Sequence, residues 1–333
     1  MKVNLPAVSV VMPVYNAAAF LVESVESILA QTLNDFEFIV IDDGSSDASL
    51  DILKEYEKAD HRIRLLHQKN SGVVATLNHG IRLATGRYIA RMDADDISLP
   101  ERLALQVELM DDDPRIGVSG GWVQLFGAKN EVWHHRREDN FIRNMLLFKT
   151  SGFSHSTVIA RRELLQAYPY DHIYPHVEDT GCWVRIALQA NCRFANLPQV
   201  LVKYRVHQGQ VSEIYRKCQL QSYQTIIRDY IVGLGGKIND EELRLHMSLC
   251  EQSKGWTAAN LDAAGSWLTK LTKMIQHRLP DHHDCFQEKW LNLCLSNRNF
   301  DEIEQVYAAY RFTESDHCLI KERLFLQAAE AGE

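Results

Sequence analysis

The first hundred residues alternate between strand-like and helix-like segments, and this alternation limits the fold more than any other feature. Val8-Ser9-Val10-Val11-Met12-Pro13-Val14 is a continuous apolar, β-branched run, as expected of a strand covered on both faces. Leu21, Val25, Ile28 and Leu29 then recur at helical spacing. Phe36 to Ile41 is a second apolar run. Leu50, Ile52, Leu53 and Tyr56 continue it as a helix capped by one of the Ser or Asp residues before it. Ile63 to Leu66 reads as a third strand, Val73 to Leu83 as a helix, and Tyr88 to Met92 as a fourth strand. Strands alternating with helices predict an α/β fold with a parallel, doubly wound sheet. In such sheets ligands bind outside the carboxyl ends of the strands.

Three polar clusters fall at those ends: Val14-Tyr15-Asn16, Asp42-Asp43-Gly44-Ser45 and Asp93-Ala94-Asp95-Asp96. By itself the last reads as a solvated acidic turn. Its carboxylates repel one another unless something positive sits among them, and hard oxygen ligands favour magnesium or manganese. Three clusters on one edge are much less expected of solvated turns, so together they read as a site. A carboxylate at Asp43, beside a sharp turn, can accept the N3 hydrogen of a uracil, and backbone groups after Pro13 can frame the base. Asp93 and Asp95, with a metal, would neutralise a diphosphate. The chain has no Gly-x-x-x-x-Gly-Lys-Ser/Thr loop and no Gly-x-Gly-x-x-Gly after the first strand, which argues against a P-loop or a dinucleotide. A base pocket with a metal-held diphosphate points to a nucleotide-sugar.

Beyond Pro100 a helix through Leu103, Val107 and Met110 leads to a strand at Ile116-Gly117-Val118-Ser119. Residues 127–140, with His134, His135, Arg136 and Arg137, read as a loop over the site. Ser156–Ala160 and Val200–Val206 read as strands, with a helix around Thr180–Ala190 between them. From Tyr215 onward the pattern is helical, which divides the chain into a domain at 1–214 and a helical extension at 215–333. The net charge of −8 argues against nucleic acid as the main partner. Seven cysteines without close pairing suit a reducing cytosol. Neither a signal peptide nor a membrane-spanning apolar stretch is expected, while peripheral membrane attachment stays open.

The segments Val8 to Ala17, Ile41 to Asp47 and Arg91 to Ser98 resemble, in order and spacing, the motifs of glycosyltransferase family 2, over roughly residues 6–212. The resemblance implies the GT-A fold, inversion at the anomeric carbon and a Mn²⁺ or Mg²⁺ cofactor. By it, Pro13, Tyr15 and Asn16 frame the nucleotide and Asp43 reads uracil. Asp93 and Ala94 lie near the ribose and donor sugar, Asp95 binds the metal, and Asp96 is supporting. Gly72 and Asn78 match a donor-side segment. Leu77 stands where many relatives carry Arg, so a basic contact there falls to Arg91. Glu178-Asp179, with Trp183, matches the Glu-Asp motif, making Asp179 the catalytic base and Glu178 and Trp183 acceptor contacts. A helix N-terminus keeps a carboxylate ionised, although an Asp there can also act only as a cap.

Lys203 to Ser212 resembles the Tyr-Arg-x-His segment that closes such sites. It assigns His207 to the metal or diphosphate and Arg205 to leaving-group charge. His155 matches an acceptor-side position. The resemblance implies a cytosolic-face enzyme that moves one GlcNAc or Gal from its UDP-sugar, in β-1,3 linkage, to an oligosaccharide or lipid-linked glycan of lipo-oligosaccharide or O-antigen type. The alternatives are UDP-GalNAc or UDP-Glc as donor, or a non-catalytic nucleotide-sugar-binding protein, and an oligomer is open. The processive Gln-x-x-Arg-Trp motif is absent. His277, His282, His283 and Cys285 do not have zinc-finger spacing. Asp42-Asp43 lacks the later residues of a phosphorylation receiver.

Overall fold

A computed structural model describes residues 5–207, 215–251, 256–279, 283–295 and 309–310. Two compact units divide the chain, one of residues 1–142 and 150–223, the other of residues 143–149 and 224–333. The expected division at 214/215 therefore precedes the change of unit, and the short segment 143–149 joins the helical unit rather than the first.

Among the described residues the first unit is a nine-stranded sheet with helices. Strands β1 (Val8–Val14), β2 (Phe36–Asp42), β3 (Ile63–His67) and β4 (Tyr88–Arg91) are parallel and lie in the order β3-β2-β1-β4. Helices α1 (Leu21–Leu29), α2 (Ser49–Ala59) and α3 (Val73–Leu83) connect them. The order reverses at β1, which has β2 on one side and β4 on the other. That reversal opens the crevice where an α/β sheet holds its ligand. Antiparallel strands enter after β4. The sheet continues through β8 (Ile159–Arg161), β6 (Ile116–Gly127), β9 (Arg193–Val206) and the two-residue β5 (Ile97–Ser98), with β7 (Val132–Trp133) beside β6.

The continuous apolar runs behave as predicted. Val8, Val10, Met12 and Val14 of β1, with Phe38 and Val40 of β2 and Ala90 of β4, are buried against Leu21, Val25 and Ile28 of α1 and Leu53 of α2. Helix α4 (Arg102–Asp112) adds Leu103 and Met110 to this core. A smaller cluster forms between Val123 and Leu125 of β6 and Leu201 and Val202 of β9.

Two local expectations change. Ser156–Ala160 was expected as a strand, but His155–Thr157 is a single 3₁₀ turn and β8 begins only at Ile159. Residues 127–140 are not wholly loop, because β7 pairs with β6 and α5 (Asp139–Met145) begins inside them. The remainder is tied down locally: Trp122 Nε1 donates to the His135 carbonyl, and His135 Nε2 lies 2.8 Å from Ser154 Oγ. The helix expected at Thr180–Ala190 is α7 (Glu178–Gln189), which follows α6 (Arg162–Ala167).

The second unit contains the end of α8 (Arg216–Gly233), then α9 (Asp240–Cys250), α10 (Ala258–Ile275) and α11 (His283–Leu295). Asn239 and Glu242 form a reciprocal capping box at the start of α9. His246 is fully buried there, accepting from Trp267 Nε1 at Nδ1 and donating from Nε2 to the Leu147 carbonyl. Burial pushes its imidazole down to about 4, so it is a neutral structural group. No helix among the described residues is long and apolar enough to cross a membrane. The expectations for Gln208 to Ser212 and for Pro280 to His282 lie outside the described residues.

Candidate active site

The parallel strands deliver their polar ends to one edge, and the turns there are stitched together. Asn16 takes a left-handed conformation (φ 51°). Its backbone N–H donates to Ser45 Oγ at 2.9 Å, and its side-chain oxygen accepts from the Ser46 N–H at 2.8 Å. Asp47 and Ser49 accept from the backbone of Ala18 and Ala17. Pro13 lies in register with Ile41 of β2, and Tyr15 is exposed beside the turn.

Asp43 is nearly buried and has an internal task. Oδ1 accepts from Gln68 Nε2 at 2.8 Å and from the Ser71 N–H at 3.0 Å, while Oδ2 accepts from the Gly72 N–H at 2.9 Å. Burial alone would raise this carboxyl, but these donors outweigh it and hold it below the ordinary value. Gln68 is itself oriented by His79, whose Nδ1 lies 2.8 Å from Gln68 Oε1. Gly72 starts α3 at φ 85°, a conformation that aims its N–H at Asp43 and disfavours any side chain.

The acid loop after β4 is balanced by arginines. Arg91 forms an ion pair with Asp93. Asp96 is 1% exposed and accepts from the Arg205 backbone N–H at 2.9 Å. Burial, then the charge of Asp95, push its carboxyl up to about 7. Arg205 Nε donates to the Asp95 carbonyl at 2.8 Å, and its guanidinium lies between the rings of Phe20 and Phe126, 4.7 and 4.4 Å from their centroids. It also pairs with Glu23.

Asp95 is left facing His207, with Oδ2 and Nε2 3.1 Å apart. One ligand atom from each of Asp93, Asp95 and Asp96 lies within 4.8 Å of the others. Octahedral bonds of about 2.1 Å set neighbouring ligand atoms about 3 Å apart, so the 3.1 Å between Asp95 and His207 matches either a hydrogen bond or two ligands of one divalent ion.

Across the edge stands α7. Glu178 is 8% exposed, and burial followed by the charge of Asp179 push its carboxyl up to about 7. Among the described residues its Oε2 has no hydrogen-bond partner. Asp179 is half-buried, and burial raises its carboxyl as well. The positive charge of Arg91 opposes both shifts, so this arginine acts on the acids of α7 as well as on Asp93. Gly181 has no room for a side chain, because a Cβ there would stand 2.2 Å from the Tyr174 ring. Next to α7, His155 Nε2 lies 2.8 Å from the Tyr170 hydroxyl, and burial drives its imidazole far below the usual range, so it is neutral.

The family model for glycosyl transferase family 2 matches residues 9–168. An uncharacterized glycosyltransferase of Haemophilus influenzae is 33% identical over 249 residues, covering 71% of this chain and 76% of the relative. The chain belongs to glycosyltransferase family 2. The enzyme is also similar to the Escherichia coli UDP-Glc:alpha-D-GlcNAc-diphosphoundecaprenol beta-1,3-glucosyltransferase WfgD, with 31% identity covering 67% of this chain and 86% of WfgD. Its fold is that of residues 1–349 of S. aureus TarS, crystallised with UDP-GlcNAc (TM-score 0.59, 18% identity, 91% of each chain). A mannosyltransferase of Pyrobaculum calidifontis, solved with GDP-Man and Mn²⁺, has a TM-score of 0.52 at 17% identity and covers 99% of this chain and 82% of its own. The transferase thus has the expected GT-A architecture.

The fold brings Pro13, Tyr15, Asn16, Asp43, Gly72, Arg91, Asp93, Asp95 and His207 to one edge of the transferase. Other expected contacts have different tasks. Asn78 is engaged with the backbone: its amide donates to the Tyr170 carbonyl at 2.9 Å and accepts from the Tyr170 N–H at 3.0 Å. Trp183 is fully buried, edge-on to Phe153 and His155, and so packs beneath the site residues. Ala94 packs its methyl group into the core, which leaves only its backbone for a donor. Arg205 grips the acid loop and Glu23 instead of standing open to a leaving group. Sequence reasoning passed over Gln68, Phe20 and Arg102. Gln68 carried a signal, because a polar side chain at the end of β3 lies on the same edge as Asp43.

Proposed function

We propose that the enzyme is an inverting, metal-dependent transferase that moves a single sugar from a UDP-sugar to a saccharide of a lipid-linked glycan in bacterial surface-glycan synthesis. The observation that carries this reading is the pairing of Asp95 with His207 at 3.1 Å, on the same sheet edge as Asp43. Asp43 Oδ2 accepts one bond from the protein and keeps a lone pair for the N3–H of uracil. A divalent ion at Asp95 and His207 would supply charge neutralisation for the diphosphate.

Asp179 takes the proton of the acceptor hydroxyl. The hydroxyl oxygen bonds to the anomeric carbon as the bond to the diphosphate breaks on the opposite face, which inverts the centre. A carboxyl raised by burial is a stronger base than a solvated aspartate. Glu178, next in sequence, offers an unpartnered oxygen for the acceptor. The donor sugar of WfgD is glucose and that bound to TarS is GlcNAc, so UDP-Glc joins UDP-GlcNAc and UDP-Gal as the donors this site should be offered. A lipid-linked acceptor would bring the enzyme to the inner face of the cytoplasmic membrane.

Transfer from these donors and UDP-GalNAc, with wild type and Asp179→Asn, tests the reading. The variant should lose about 10²-fold or more in kcat while UDP binding is unchanged. Transfer by the variant at near wild-type rate would refute Asp179 as the base.

A further inference from the structure

Arg102, the first residue of α4, has no part in the reaction just described. It is fully buried, and its hydrogen bonds all go to uncharged acceptors. Nε donates to Gln106 Oε1 at 3.1 Å, and Nη2 donates to the carbonyls of Arg91 at 2.8 Å and Val158 at 3.3 Å. Nη1 lies 3.5 Å from Met92 Sδ. Burial, helped by the like charge of Arg91 and opposed by the nearby Asp96 carboxylate, pushes this guanidinium down to about 9. A buried cation without a hydrogen-bonded carboxylate is costly, and an apolar side chain of similar size is often equally stable in such a place. A task beyond stability accounts for an arginine here.

The ladder between β4 and β8 shows what that task is. Its register runs Tyr88 to Arg161, Ile89 to Ala160 and Ala90 to Ile159, so the next pair is Arg91 and Val158. In an antiparallel ladder that pair would exchange two bonds. The Arg91 N–H does donate to the Val158 carbonyl at 2.9 Å. The Val158 N–H instead turns back to the His155 carbonyl at 3.1 Å and closes the 3₁₀ turn. The Arg91 carbonyl therefore loses its ladder donor two residues before Asp93, and Arg102 Nη2 supplies the replacement. Gln106, one helical turn on, donates from Nε2 to the Thr157 carbonyl at 2.8 Å. One face of α4 thus grips both strand ends at the point where they part.

We propose that Arg102 is a positioning residue that fixes the acid loop Asp93–Asp96 against the turn carrying His155, and so sets the spacing between the donor-holding and acceptor-holding sides of the site. The assignment of those two sides rests on the function proposed above. Arg102→Met keeps the length of the stem and removes every donor. Its kcat should fall about 10²-fold at a temperature where circular dichroism shows it fully folded, because a displacement of about 1 Å costs that much. Its affinity for UDP without metal, which rests on the Asp43 side of the edge, should stay near that of wild type. Arg102→Lys, which keeps the charge and one or two donors, should recover part of the loss.

Hydrogen–deuterium exchange gives a readout independent of activity. Amides 92–96 and 155–158 should exchange faster in Arg102→Met, while those of β1 and β2 keep their protection. If Arg102→Met does not fold, Gln106→Leu tests the same grip, with a fall in kcat of about tenfold at unchanged metal-free UDP affinity. A folded variant with wild-type kcat and wild-type exchange in both segments would overturn the proposal. Absence of transfer by the wild type itself would count against the proposed function, and the exchange data would still decide the role of Arg102.

Discussion

Glu178 should make the enzyme less stable as the pH rises, and Glu178→Gln should remove that dependence. The folded protein holds this carboxyl at about 7 through burial and the neighbouring Asp179, against an ordinary value of 4.5. Between those values the native state keeps a proton that the unfolded chain has lost. Stability is therefore full below 4.5, falls as pH rises to about 7 and stays low above it. At about 1.4 kcal/mol per pH unit, the interval amounts to about 3 kcal/mol. Gln is nearly isosteric and does not titrate. Its own cost, an amide without a partner where Oε2 had none, is the same at every pH. Urea denaturation of both proteins at pH 4 and pH 8.5 isolates the effect as a difference of differences. Relative to wild type, Glu178→Gln should be about 3 kcal/mol more stable at pH 8.5 than at pH 4. A change of less than about 1 kcal/mol between the two pH values would mean that Glu178 titrates like a solvated carboxylate and that its burial has been misread.

His207→Ala removes one member of the Asp95 pair, and should weaken Mn²⁺ binding in the presence of UDP by about tenfold or more, read by calorimetry. Equal Mn²⁺ affinity in the variant, or full wild-type transfer in EDTA, would dismiss the shared ion. Gln68→Met removes a donor from Asp43 and the acceptor that orients His79, and should raise the UDP dissociation constant about tenfold with little change in kcat at saturating donor. An unaltered UDP titration would show that the Gln68 bond does not govern Asp43.

The sheet edge was legible because its signals are local. Continuous apolar runs mark β1 to β4, and the rule for parallel sheets puts Asp43, Asp93 and Asp95 on one edge from the sequence alone. The side-chain tasks were less accessible, since partners come from far along the chain. Asn78 meets Tyr170 92 positions away, and nothing in the helical pattern of α3 signals that its amide is spent on a backbone. Trp183 shows the same limit, because an aromatic residue four positions after a base looks alike in sequence whether it lines a pocket or supports its floor. Arg102 was hidden by its partners, which are mostly backbone carbonyls that any sequence would supply. The turn at His155 escaped the strand pattern because only the diverted Val158 N–H distinguishes it from β-structure.

Helix α3 works as a ruler between the two sides of this edge. Its first turn reaches Asp43 through Gly72, and its middle grips Tyr170 through Asn78, which in turn holds His155. Six residues of helix separate the two anchor points, a fixed span of about 9 Å. Inserting or deleting one residue between them would swing Asn78 about 100° around the helix axis and release Tyr170. The interval from Gly72 to Asn78 therefore tolerates no change of length.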